Sequence, residues 1–142
     1  MQPARADIQR PVRTTTVLLE HTLNDGSTHL DWLIERPNDP SEHRLIAYRC
    51  DSDPLHADPT SPWIGERIPD HRAQYLTHQG EISNNRGTVR RLWSHACTLT
   101  SELHGSVSLN VHTGPNPHVL GVSQRPDGLW ILTRESPASP AP

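Results

Sequence analysis

The apolar positions of this chain fall into short runs with a period of two, the spacing of strands whose side chains alternate between faces. Residues 14–20 form a β-branched and apolar run that ends at His21. Residues 28–35 alternate: Leu30, Trp32 and Ile34 share one face, and His29, Asp31, Leu33 and Glu35 share the other. Asn24-Asp25-Gly26-Ser27 between the two runs is a turn sequence, so a hairpin is expected. Residues 44–49 give a third short strand, and residues 87–94, 97–103, 106–112, 118–123 and 129–134 give further ones. Residues 106–111 (Ser-Val-Ser-Leu-Asn-Val) alternate most cleanly. Gly114-Pro115-Asn116-Pro117 and Arg125-Pro126-Asp127-Gly128 supply turns between the last three strands. No stretch carries the period of an amphipathic helix of useful length. The expected fold is all-β: a small, mostly antiparallel β barrel or strongly curved sheet of roughly seven or eight strands, with long loops.

Residues 1–13 are polar and aperiodic and are expected to form a loose arm. Residues 14–135 read as the barrel domain, and residues 136–142 (Ser-Pro-Ala-Ser-Pro-Ala-Pro) as an extended tail. Pro54, Pro59, Pro62 and Pro69 predict a long surface loop over residues 51–69. A length of 142 residues suits one domain with a real core. With 32% hydrophobic residues and 14 prolines, that core should be small and its connections polar. Cys50 and Cys97 lack CxxC spacing, which favours free thiols in a reducing cytoplasm over a disulfide scaffold. No run is long enough to span a membrane and the N-terminus lacks a secretory signal, so a cytoplasmic protein is expected.

A net charge of -3 excludes an overall basic footprint for nucleic acid. All 13 basic residues are arginine, whose planar fork of donors can hold a phosphate without a positive field overall. GC-rich coding produces the same arginine usage, so it carries no functional weight alone.

The chemistry concentrates in three places. His29 and Asp31 are two apart on a strand, with Cα atoms about 6.5–7 Å apart on one face. His21, at the end of the preceding strand, would complete a 2-His-1-carboxylate face suited to a divalent transition metal with open positions. The apolar face of this strand is complete without His29 and Asp31, although the same pattern also fits a polar strand edge in a chain with 10 histidines. In Asp70-His71-Arg72-Ala73-Gln74-Tyr75, His71 and Tyr75 are one helical turn apart. An imidazole there could pass a proton and a phenol could donate to a phosphate oxygen.

In this order the motifs resemble the 3′-phosphoesterase domain attached to bacterial DNA ligase D, which also occurs free-standing. The resemblance is carried by Val17-Leu18-Leu19-Glu20-His21, His29-Leu30-Asp31-Trp32-Leu33, Arg44-Leu45-Ile46-Ala47 and the Asp70–Tyr75 segment. Gln79-Gly80-Glu81-Ile82, Gly87-Thr88-Val89 and Gly128-Leu129-Trp130-Ile131-Leu132-Thr133-Arg134 complete it, so it covers nearly all of residues 14–135. It implies a small β-barrel enzyme using a manganese-type ion on DNA or RNA 3′ ends, possibly beside a ligase or polymerase of the same repair pathway. Its metal ligands fall on His21, His29 and Asp31, its second His and Tyr on His71 and Tyr75, and its phosphate-binding Arg on Arg44.

The family's second phosphate-binding arginine is replaced by Leu33, removing a charge-assisted contact; Arg72 or Arg86 could substitute from a loop. Two alternatives stay open. One is a binding barrel of the same fold with impaired catalysis. The other is an iron-dependent oxygenase pairing His-x-Asp with a distant histidine such as His112 and the following Arg125.

Overall fold

A computed structural model describes residues 11–56 and 63–135. Its strands are β1 (Val12–Thr22), β2 (Thr28–Glu35), β3 (Leu45–Cys50), β4 (Ile64–His71), β5 (Gly80–Glu81), β6 (Thr88–Leu103), β7 (Ser106–His112), β8 (His118–Gln124) and β9 (Trp130–Glu135). All pairings are antiparallel, in the order β1-β2-β3-β4-β9-β8-β7-β6, and β6 returns to pair with β1. The result is a closed eight-stranded barrel, as the alternation predicts, with β5 a two-residue ribbon beside the start of β6. No helix among the described residues is long and apolar enough to cross a membrane.

Four expectations need correction. β1 begins at Val12, inside the expected arm; the rest of that arm and the tail lie outside the described residues. The loop expected over residues 51–69 contains most of β4. Pro69 is tolerated there because the ladder is broken at that point: Ala47 pairs with Ile68 and Leu45 with His71, two steps on β3 against three on β4. That extra residue is a β-bulge, where a missing N–H costs no ladder bond. Residues 87–94 and 97–103 are one continuous strand, β6, held by β1 along most of its length and by β5 and β7 in succession on its other side. His71 and Tyr75 do not share a helical turn, since His71 ends β4 and Tyr75 lies in a 3-10 turn, Ala73–Leu76.

The chain builds two apolar clusters on opposite sides of the same sheet. Inside the barrel, Leu18, Trp32, Ile46, Tyr48, Trp63, Leu99, Leu109 and Leu120 pack together. Trp32 Nε1 donates to Thr16 Oγ1 at 2.8 Å, which satisfies the indole in the interior. On the outer face of β1–β3, Val17, Leu19, Leu33, Leu45 and Ala47 form a second cluster under Tyr75 and Val89. Burial on both faces explains why Val17-Leu18-Leu19 and Leu45-Ile46-Ala47-Tyr48 are unbroken apolar runs. Cys50 and Cys97 are free and buried, and burial pushes each thiol up to about 12.

One end of the barrel is tied by an ion network. Arg36, following β2, holds Glu102 of β6 with Nε (2.9 Å) and Nη2 (2.7 Å) and reaches Asp70 with Nη1. Arg67 holds the other Asp70 oxygen at 2.7 Å. The network therefore anchors the bulged end of β4, the segment that delivers His71.

Candidate metal centre

The outer face of the β1–β2 pair carries the site. The register sets His21 opposite His29 and Leu19 opposite Asp31, so cross-strand pairing brings together residues that alternation had already put on one face. His21 Nδ1 lies 3.0 Å from His29 Nε2, and His29 Nε2 lies 3.5 Å from Asp31 Oδ2. One ligand atom from each of His21, His29 and Asp31 falls within 4.8 Å of the other two. Donors bound at about 2.1 Å to one cation and about 90–110° apart stand roughly 3.0–3.4 Å from each other; the two distances through His29 match that spacing, and a shared ion would draw His21 and Asp31 closer together.

The surroundings fix which ring nitrogen His21 and His71 present to the cluster. His21 Nε2 lies 2.7 Å from the Arg86 carbonyl oxygen. A carbonyl only accepts, so Nε2 carries a proton and Nδ1 is the nitrogen turned toward His29 and free to ligate. His71 repeats the pattern: Nδ1 donates to the Pro69 carbonyl at 2.8 Å, leaving Nε2 facing Asp31 Oδ2 at 3.9 Å. Fixing one ring nitrogen on a backbone carbonyl and presenting the other is how metal-binding histidines are held in place. Burial holds the His29 imidazole below its ordinary value, with Arg49 and His21 adding to that effect and Asp31 opposing it, so the neutral, ligating form is favoured. Asp31 is buried, and its Oδ1 has no hydrogen-bond partner among the described residues. A buried carboxylate left this way is costly unless something else satisfies it. The donor set thus fits a divalent cation.

Local structure explains the placement. The β1–β2 hairpin closes through Gly26 N–H to the Leu23 carbonyl and Leu23 N–H to the Ser27 carbonyl, fixing the register that opposes the two histidines. Gly87 adopts φ +95°, where a Cβ would run into the Thr22 carbonyl oxygen, so the chain passes close enough to β1 for Arg86 to reach His21.

No known family model, curated protein or solved structure matches this chain. The site stands on its geometry alone.

The residues singled out in the sequence are distributed as follows. His21, His29 and Asp31 converge, and His71 joins them. Tyr75, almost fully buried, stands edge-on to His71 with ring centroids 5.8 Å apart, and His78 flanks its other side at 6.0 Å. Arg44 Nε is bound to Glu35 at 2.8 Å, and Arg72 lies over Glu42 and His43 at the exposed surface. Arg86 contributes its carbonyl, while its guanidinium bonds Ser83. His112 is engaged by Thr98 at 2.8 Å and pairs with Ala96, whose neighbour on β1 is Thr15, toward the opposite end of that strand from His21. Arg125 pairs with Asp127 in the last turn.

Sequence reasoning missed Arg49. It stands opposite Asp31 on β3, with Nε 3.5 Å from Asp31 Oδ1. Alternation from Leu45 and Ala47 puts Arg49 on the outer face, but only the β2–β3 register says that it meets Asp31.

Proposed function

We propose that this protein is a metal-dependent phosphoesterase acting on the 3′ ends of DNA or RNA, where it removes a terminal phosphate or ribonucleotide. The observation that carries the reading is the convergence of His21 Nδ1, His29 Nε2 and Asp31 Oδ2, with His71 at its edge. The colinear resemblance to the phosphoesterase domain of DNA ligase D supplies the substrate class and the metal, Mn2+. When bound, a divalent ion supplies Lewis acidity toward a phosphoryl oxygen and toward water.

The chain's own residues have distinct tasks in this reading. His21, His29 and Asp31 hold the ion. His71 moves a proton at Nε2, since its Nδ1–H is committed to Pro69. Tyr75, braced between His71 and His78, fixes the angle of the His71 ring and orients the phosphate. Arg44 and Arg72 each sit beside a carboxylate, so reaching a phosphate at the cluster means leaving Glu35 or Glu42. In the cell the protein would work in the cytoplasm, beside a ligase or polymerase of the same repair pathway.

The test is phosphate release from a 3′-phosphorylated oligonucleotide with and without Mn2+, for the native chain and for His29→Ala. The reading expects metal-dependent release by the native chain alone. Release that ignores both metal and His29, or none with any divalent ion, refutes it. A second reading, a barrel that binds but does not turn over, is favoured by Leu33, which is fully buried in the outer cluster where the resemblance expects an arginine. Tight metal and nucleic-acid binding without release would establish it.

A further inference from the structure

We infer that Arg49 is the anion-binding residue of this centre, and that it fits the site to a phosphomonoester in preference to a phosphodiester. The inference rests on the metal-centre reading above and deepens it.

Five other arginines of the described residues are committed. Arg36, Arg44, Arg67 and Arg90 give their guanidinium groups to carboxylates, and Arg91 gives its group to the Leu76 carbonyl. Arg49 differs. Its side chain is 44% exposed, and its one ionic contact among the described residues is Nε to Asp31 Oδ1 at 3.5 Å, too long for a good hydrogen bond. Asp31 Oδ1 is itself unbonded, so Arg49 is held next to the cluster by charge without spending its donors. Glu66, the β4 neighbour of Arg49 in register, forms no ion pair with it.

On the outer face of β6 Arg91 stands opposite Leu19, but its Nη1 is bonded to the Leu76 carbonyl at 2.9 Å. Leu19, between Arg91 and Asp31 in that row, is buried and apolar, as are Leu33 and Ala47 in the next row of the outer face. An anion arriving at the His-His-Asp group therefore meets the Arg49 guanidinium, with a planar fork suited to two phosphoryl oxygens. Charge then selects the ligand. Asp31 and Arg49 cancel, and an imidazole that gives a metal its lone pair carries no charge, so a divalent ion on His21, His29 and Asp31 leaves the site at +2. A terminal phosphomonoester carries between about -1.5 and -2 near neutral pH, whereas a diester carries one negative charge. The monoester closes the balance.

The experiment uses the full chain loaded with Mn2+ and inorganic phosphate as probe, titrated calorimetrically for the native protein, Arg49→Ala and Arg49→Lys. Alanine should weaken phosphate binding roughly 10- to 100-fold, the range of a charged hydrogen-bond pair, with Mn2+ stoichiometry and melting temperature retained. Lysine keeps the charge without the fork and should restore part of the loss. Equal phosphate affinity in the native protein and Arg49→Ala, or no phosphate binding by the loaded native protein, overturns the inference. A parallel assay compares a 3′-phosphomonoester with its methyl diester. Arg49→Ala should lose more kcat/KM on the monoester, and equal loss on both overturns the charge match. Phosphate binding through Arg49 without any release would refute the hydrolase reading and leave this one standing.

Discussion

His21 and His29 face each other directly across the β1–β2 pair, with ring nitrogens 3.0 Å apart and the far nitrogen of His21 anchored on the Arg86 carbonyl. Two imidazole lone pairs cannot meet at that distance unless a proton or a cation lies between them. Without metal, one ring must donate to the other; with metal, both turn their lone pairs to the same centre. The cluster thus offers a cation a set of donors that is assembled in the folded chain and dispersed in the unfolded one.

Linkage turns that into a stability prediction. A divalent ion at a hundredfold excess over its Kd should stabilise the fold by about 2.7 kcal/mol, enough to raise the melting temperature by several degrees. Thermal melts with and without Mn2+ measure this directly. The increment should vanish in His29→Ala, and an equal increment in that variant would assign the stabilising site elsewhere.

Gly87→Ala separates the anchoring of His21 from its identity. The new methyl collides with the Thr22 carbonyl at a position of positive φ, so the Arg86–Gly87 segment must move away from β1. Strain of this kind costs about 1–3 kcal/mol, and it should weaken metal affinity as well because the Arg86 carbonyl leaves His21. Calorimetric Mn2+ titration of the variant checks the second effect. Unchanged affinity would mean that the Arg86 contact does not orient the ring.

The sequence made the faces of β2 readable because its polar and apolar positions alternate cleanly, and the three donors followed from that. β4 was hidden because four prolines suggested loop, and the bulge that accommodates Pro69 is a matter of pairing with β3. Alternation alone puts Leu33 on a polar face with His29, Asp31 and Glu35. Its true neighbours are Val17 and Ala47, supplied by strands on either side, and together they seal the outer cluster. The unbroken apolar runs in β1 and β3 were the available signal that the sheet is buried twice. Arg49 needed cross-strand register, which residue spacing does not encode.

Leu33→Ala tests that second cluster. Removing a fully buried leucine should cost about 2–5 kcal/mol in urea denaturation while one metal equivalent is still bound. A cost below about 1 kcal/mol would show that the outer cluster contributes little to the fold.

The ion network predicts a dependence on acidity. Burial raises the Asp70 carboxyl, but hydrogen bonds from Arg36 and Arg67 outweigh it and hold the group below its ordinary value. A carboxyl depressed in the folded state adds stability that is complete above its unfolded pKa, about 3.9, and is lost as pH falls through the lower folded value. Urea melts from pH 7 downward should therefore hold this contribution to about pH 4–5 and lose it below. Arg36→Met should remove about 3–5 kcal/mol at pH 7, because Glu102 and Asp70 lose a buried partner. The same loss should shrink at low pH. A cost independent of pH would contradict the assignment.

The central claim is that His21, His29 and Asp31 chelate a single cation. Manganese binding followed by the loss of the free Mn2+ paramagnetic resonance signal tests it most directly. The account predicts one Mn2+ per chain for the native protein and none at the same concentrations for His29→Ala, with both proteins folded by circular dichroism. Equal binding by the two, or no binding by the native chain, would contradict it.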